Sequence, residues 1–422
     1  MTISLKDIVA QNRAGDPKAL PSFCTANPHV LREIITFAAE HELPALIEAT
    51  CNQVNQFGGY TGRKPKDYAN ALLKLADDAG LSSENLILGG DHLGPNPWRD
   101  LPADEAMANA KVLVKDYVEA GFTKIHLDAS MACGGEETPS FELVAQRSAE
   151  LCVAAEQHAP DASKLSYVIG TEVPVPGGES DDMSGIQVTT ADRLCETIET
   201  HRVAFTAADV SQGIEKAIAV VVQPGVDFSH DGIFHYDRAK AKGLTAAIYD
   251  HEGFAFEAHS TDFQSTDNLS NLVADHSVIL KVGPEITFRF REGVMALDQI
   301  EGELQVPTPA SIKSVILQAM ADEPSDWQNY YRGSKELVEF FKLYSFSDRV
   351  RYYWDRRPVS LALEQLLENV SSAGLSAAMA SQFGINFPIG STKVDPRTLI
   401  AERVRTTVKR YYQAGRWIDA RA

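Results

Sequence analysis

The sequence predicts an α/β fold, a (β/α)8 TIM barrel with a C-terminal helical extension, and three observations carry that prediction. Up to about residue 305, short apolar, β-branched runs end in polar or glycine residues and are each followed by a longer helical stretch. Runs such as AIAVVVQ and SVILKVG are apolar almost throughout, as strands buried on both faces of a parallel sheet are. Eight such units in one chain favour a closed barrel over an open doubly wound sheet, and the first run leads into FCTANPHV, which lacks the GxGxxG of a dinucleotide fold.

In order, the predicted strands are Ser22–Asn27, Ala45–Thr50, Leu86–His92, Lys124–Ala129, Leu165–Glu172, Ala217–Pro224, Phe254–Ser260 and Ser277–Gly283. Between them lie amphipathic helices, among them DEAMANAKVLVKDYVEA (104–120) and FELVAQRSAELCVAAEQHA (141–159). From about Gly302 the pattern changes: Pro307 and Pro309 break the chain, and the rest is helical and rich in Arg and Tyr. The expected division is therefore a barrel over 1–305 and a helical extension over 306–422, packed on the barrel or on a neighbouring subunit in a homo-oligomer.

A chain of 422 residues can bury a large core, and 44% hydrophobic with 23% charged residues is ordinary globular composition. The net charge of -19 argues against nucleic acid as a partner, since phosphate backbones need a basic surface, but leaves room for a small phosphorylated ligand held by local donors. No run of eighteen apolar residues exists to span a membrane, and MTISLKDIVAQNRAG lacks a signal-peptide core. The five cysteines, Cys24, Cys51, Cys133, Cys152 and Cys195, are irregularly spaced without CxxC, which points to reduced thiols and a cytoplasmic protein.

In such a barrel the C-terminal strand ends face the functional mouth. Those ends carry Glu48, Asn52 and Gln53 after the second strand, then Asp91 and His92, Asp128, Glu172 and Gln223 in turn. The seventh contributes Glu257, His259, Ser260 and Asp262, and the eighth Lys281 and Gly283. Two imidazoles and several carboxylates on one rim form the donor set of a divalent ion such as zinc, with His92, His259 and Glu172 as expected ligands. Asp91 is the expected acid/base, and Asp128 either assists it or caps a loop. His126, two residues before Asp128, is a further ligand candidate; His158 and His201 read as helix-surface residues.

Phosphate recognition is expected at the loops after strands seven and eight, from Ser260, Thr261, Gly283 and Lys281, although Lys281 also reads as an interior lysine paired with a carboxylate. The loop NQFGGYTGRKP (55–65) suits a lid and is no Walker A motif, so kinase chemistry has no sequence support. VPVPGGES (173–180) reads as a rigid turn beyond Glu172 or a plain surface turn.

Seven ordered segments, IEATCNQVNQFGGYTG, ILGGDHLGPNPW, KIHLDASMACGG, SYVIGTEVPVPGG, VVQPGVDF, EAHSTDFQ and LKVGPEITF, together with SFSDRVRYYW (345–354), resemble the GatZ/KbaZ family over nearly the whole chain. The resemblance implies a barrel related to class II aldolases. Asp91-His92 then matches a proton-transfer acid beside a zinc ligand, His259 a further ligand, and Glu172 to Gly178 the fifth-strand Glu with its glycine turn.

It implies two activities. One is C4 epimerisation, converting D-tagatose 6-phosphate to D-fructose 6-phosphate by retro-aldol cleavage, rotation of the aldehyde and re-addition on a metal-held enediolate. The other is a non-catalytic subunit stabilising a separate class II tagatose-1,6-bisphosphate aldolase chain. Because a pure scaffold has no evident need for Asp91, His92, Glu172 and His259 at strand ends, the residues favour the epimerase.

Overall fold

A computed structural model describes residues 4–170, 186–384 and 393–419. Eight parallel strands form a closed barrel: β1 Leu20–Cys24, β2 Ala45–Thr50, β3 Leu86–Leu93, β4 Lys124–Leu127, β5 Ser166–Ile169, β6 Ala217–Val222, β7 Ala255–Ala258 and β8 Ser277–Val282. Each strand pairs with the next in sequence, and β8 pairs back on β1 with Leu20 opposite Ile279 and Phe23 opposite Val282. All eight coincide with predicted runs. A short antiparallel hairpin, Asp227–Phe228 with Ile233–Phe234, follows β6.

The helices begin where their sequences provide a cap. Asn27, Ser140, Thr190 and Ser265 each turn a side-chain oxygen onto a first-turn amide, satisfying donors that have no intrahelical partner. The predicted helices near 104 and 141 are Ala103–Glu119 and Phe141–His158. His201 departs from expectation: it lies buried on its helix, with Nδ1 on the carbonyl of Thr197 at 2.8 Å and burial lowering its pKa to about 4. Its i, i+4 neighbour Phe205 is equally buried, so this stripe faces the core and not solvent.

The helix Leu5–Arg13 closes the lower end of the barrel. Leu5, Ile8 and Val9 form one apolar cluster with Leu20, Leu46, Ile218 and Val278, which stand at the starts of their strands.

Beyond Glu303 come the helices Ile312–Asp322, Lys335–Tyr344, Arg357–Ala373, Ala377–Gln382 and Pro396–Ala414, with one isolated bridge between Ser376 and Lys393 among the described residues. The last long helix packs against Pro28–Glu40 and Pro284–Glu303 and shares their core. Its Tyr411 hydroxyl donates to the carbonyl of Thr261 at 2.7 Å, and Tyr412 donates to that of Pro44 at 2.9 Å. The C-terminal segment thus ties down one loop at the upper end of the barrel, at Thr261, and one at the lower end, at Pro44.

Candidate metal centre and the barrel mouth

Alternation along a regular strand would send Asp91 and His92 to opposite faces of the sheet. Both nevertheless face the mouth, because the β3–β4 register shifts between Gly90 and Leu93 and His92 takes a left-handed backbone, φ 48°. Such a φ is uncommon outside glycine and marks local strain held by the surrounding structure. Ser260, one residue beyond His259, has the same feature at φ 51°.

The irregularity gathers three imidazoles. The ring centroids of His92 and His126 are 4.8 Å apart, those of His92 and His259 5.0 Å, and those of His126 and His259 5.5 Å. One ligand atom from each of Asp91, His92, His126 and His259 lies within 4.8 Å of the others, so these residues could together hold a metal ion. The sequence singled out His92 and His259; His126 stood behind them, and its i, i+2 spacing from Asp128 was the available signal. Glu172 lies outside the described residues, as does the VPVPGGES turn.

His92 and His259 each have one nitrogen already committed, and His126 has contacts at both. His92 Nδ1 meets Asp128 Oδ2 at 2.6 Å, and Asp128 Oδ1 in turn accepts from the amide and hydroxyl of Ser130. His259 Nε2 meets Glu257 Oε1 at 2.8 Å. His126 Nε2 lies 2.9 Å from the carbonyl of Gly170; a carbonyl only accepts, so that nitrogen carries the proton. His126 Nδ1 accepts the amide of His92 at 3.2 Å and lies 3.0 Å from Asp91 Oδ1. Two acceptors so close repel each other unless a proton or a cation lies between them. The donor set therefore fits a divalent ion, with outer partners that fix ring orientation.

The electrostatics follow from this packing. Burial alone would raise Asp91, but His92, Lys281 and His126 outweigh it and hold the carboxyl well below the usual range. Burial lowers His259 to about 4, keeping the ring neutral with a lone pair to offer. For His92 burial acts in the same sense, yet Asp91 and Asp128 prevail and raise it.

Below the rings, the barrel interior carries a charged layer. Lys124 pairs with Glu48 at 2.8 Å and Glu257 at 2.7 Å; Lys281 pairs with Glu48 and, at 2.6 Å, with Asp91 Oδ2. Gly89 makes room for this layer, since a Cβ there would come within 2.6 Å of the Glu48 side chain. Glu48 is fully buried and does not reach the mouth, which corrects its assignment to substrate binding. Thr261 is corrected likewise: its hydroxyl is spent on the Lys281 carbonyl and Tyr411. Asn52, Gln53, Ser260, Lys281 and Gly283 do border the mouth.

Of the expected phosphate donors, Thr261, Gly283 and Lys281 are already engaged, and the Ser260 hydroxyl is not. Asp262 Oδ1 accepts the amides of Gly283 at 3.0 Å and Glu285 at 2.7 Å, so a carboxylate of the chain sits where a bound anion would lie at the start of that helix. Burial first, with Glu285 adding, lifts Asp262 to about 7.

Above these groups is a cavity of about 460 Å³, within the range of small-molecule sites. Its floor includes Asp91, His92, Asp128 and His259, and its roof comes from the extension through Tyr330, Arg349, Arg351 and Tyr352. Tyr60 of the glycine-rich loop meets Tyr352 edge to face at 4.9 Å, joining loop and roof.

Comparison with known proteins follows this geometry. Residues 5–416 match the family described as D-tagatose-1,6-bisphosphate aldolase subunit GatZ/KbaZ-like. The chain is 43% identical over 417 residues to the D-tagatose-1,6-bisphosphate aldolase subunit GatZ of Klebsiella pneumoniae, covering 96% of this chain and 98% of the relative. A crystal structure from Sinorhizobium meliloti 1021, described as a probable tagatose 6 phosphate kinase, superimposes with a TM-score of 0.85 at 39% identity, covering 94% of this chain and all of that one.

These relatives overturn the expectation of a sugar-phosphate C4-epimerase, because the curated protein so similar along its whole length is an aldolase subunit. The physical premise behind that expectation also fails. Asp91 is engaged by Lys281 and His126, and Asp128 by His92 and Ser130, so acidic residues on the rim have structural work to do without moving a substrate proton. With the family model spanning nearly the whole sequence and a curated relative matched end to end, this chain belongs to the GatZ/KbaZ-like family of D-tagatose-1,6-bisphosphate aldolase subunits.

Proposed function

We propose that this chain is the non-catalytic subunit of a D-tagatose-1,6-bisphosphate aldolase, stabilising a separate class II aldolase chain that carries out the cleavage. The end-to-end similarity to GatZ carries this reading. It is supported by an apolar face on the outer helix Lys335–Tyr344, where Leu337, Phe340 and Tyr344 are exposed at i, i+3 and i+7 and suit a subunit contact, with the aldolase chain or in a homo-oligomer.

Zinc is the metal we assign to Asp91, His92, His126 and His259. Four protein donors fill the tetrahedral set zinc takes in closed sites, whereas a centre that turns over substrate keeps one position open. Asp91 then serves as a ligand through the oxygen facing His126. No helix among the described residues is long and apolar enough to cross a membrane, and all five cysteines are free, which suits a cytoplasmic protein.

The test is co-expression with a class II tagatose-1,6-bisphosphate aldolase chain. The aldolase is expected to gain activity and thermal half-life in the presence of this chain and to co-purify with it. Purified alone, this chain should turn over neither D-tagatose 6-phosphate nor the bisphosphate. An aldolase with the same half-life whether or not this chain is present would end the subunit reading.

A further inference from the structure

The roof of the mouth is cationic, and among the described residues neither of its two arginines forms an ion pair. Arg349 and Arg351 both border the cavity from the short helical turn Arg349–Tyr352. Arg349 is 3% exposed; its guanidinium lies over the Tyr330 ring and gives one nitrogen to the carbonyl of Asp326 at 2.7 Å. Its Nε is buried with no hydrogen-bond partner. Arg351 spends its donors on the carbonyls of Ser347 and Asp348 and on the Tyr352 hydroxyl.

All of these acceptors are neutral. Asp348 meets Arg291 through Oδ1 at 2.6 Å and has no hydrogen-bond partner at Oδ2, its charge, against burial, helping Tyr352 and Tyr60 to raise the pKa of Arg351, while Asp355, which also borders the cavity, forms an ion pair with neither arginine. A guanidinium stays charged at any physiological pH, and a buried charge without a counter-ion is costly. Burial indeed presses Arg349 below its usual pKa, with Arg351 adding to the effect and Tyr352 opposing it.

The floor shows the complementary pattern. Its carboxylates are neutralised from within by Lys281, by the imidazoles and by the helix amides on Asp262. One hydroxyl there is unspent: Ser260 Oγ is buried, borders the same cavity and has no partner. The amides of Gly283 and Glu285, where a barrel conventionally binds phosphate, are filled, which leaves the Ser260 hydroxyl and the arginines of the roof to meet a ligand.

We propose that Arg349 and Arg351 form a phosphoryl-group subsite, so that the extension, not the loops after β7 and β8, anchors a phosphorylated small molecule in the barrel mouth. Planar guanidinium forks match phosphoryl oxygens, and these two face the cavity without an ion pair, Arg349 keeping a buried Nε that has no partner. The inference concerns this chain by itself and does not rest on the aldolase partner.

Binding of D-tagatose 6-phosphate, D-tagatose and inorganic phosphate to the purified chain is measured by calorimetry, with 31P line broadening as a second readout. The sugar phosphate is expected to bind at least tenfold tighter than the free sugar. Arg351→Gln should weaken the sugar phosphate roughly 10- to 100-fold, the worth of a charged hydrogen bond, and leave the free sugar unchanged. Arg351→Lys should retain part of the affinity.

Arg349→Gln is the second variant; should burial of Arg349 make it unfold, Arg351 alone decides. Inorganic phosphate binding as tightly as the sugar phosphate, and lost in Arg351→Gln, also supports the subsite and assigns it to the free anion. Equal affinity for phosphorylated and free sugar, no binding of either phosphate, or a folded Arg351→Gln that binds like the wild type would overturn it. Because no aldolase chain is present, failure here leaves the subunit reading standing, and failure to stabilise an aldolase leaves this result standing.

Discussion

Asp128 holds His92 by its Nδ1 at 2.6 Å, so a residue on β4's outgoing loop sets the direction of an imidazole that β3 supplies. The bond leaves Nε2 of His92 turned towards Asp91, 3.9 Å from Oδ2. Asp128→Asn keeps the size of the side chain but removes its charge. Zinc affinity is expected to fall roughly 10- to 100-fold, the usual cost of losing an outer partner of a ligating histidine. Chelator competition on the purified variant checks this, with an unchanged metal-free melting temperature showing that the fold is intact; wild-type affinity would remove Asp128 from the centre.

Lys124 is fully buried between Glu48 and Glu257. Lys124→Met leaves two carboxylates with one fewer cation, and breaking a buried pair from one side costs about 3–5 kcal/mol. Chemical denaturation should show that loss. Adding Glu257→Gln should return part of it, and strictly additive losses would mean the groups do not act as a network.

Gly94 lies in the turn that carries the chain away from His92. A Cβ there would stand 1.6 Å from the carbonyl oxygen of Asp128, a backbone atom that cannot swing aside. Gly94→Ala is therefore expected to force the β3 and β4 ends apart, lowering the melting temperature and weakening zinc binding together. A variant with wild-type values for both would show that the two loops separate freely.

Asp262 gives a pH dependence with a definite sign. Its folded pKa, raised to about 7 by burial and by Glu285, exceeds the ordinary value of 3.8. Between those values the folded state holds the proton more tightly, so this group's contribution is complete below about pH 4 and is lost as pH rises through 7. His201, lowered to about 4, works the other way: its contribution is present above pH 6.5 and is lost as pH falls through 4. Asp262→Asn removes only the first trend. Its stability relative to wild type should improve as pH goes from 4 to 7, and a difference independent of pH would refute the assignment.

The fold was legible because its signal is local. Strand runs such as AIAVVVQ are apolar on both faces, and helix starts such as Ser140 and Ser265 announce themselves by their own chemistry. The rim positions followed from strand order, which is why Asp91, His92, Asp128 and His259 could be named before their distances were known. Composition and periodicity do not encode activity, however, and the rim residues suggested turnover where the relatives point to a subunit.

By itself, then, the sequence determined eight strands, their order, and which polar residues stand at their upper ends, since each depends on neighbours along the chain. Tertiary structure alone decided that His126 joins His92 and His259, that Glu48 sinks into an ion-paired layer, that Asp262 occupies the helix amides, and that Arg349 and Arg351 roof the mouth. Each of these joins segments far apart in sequence, through a bulge at His92 or through the packing of the C-terminal extension. Closure of the barrel creates such contacts, and no spacing within a single segment specifies them.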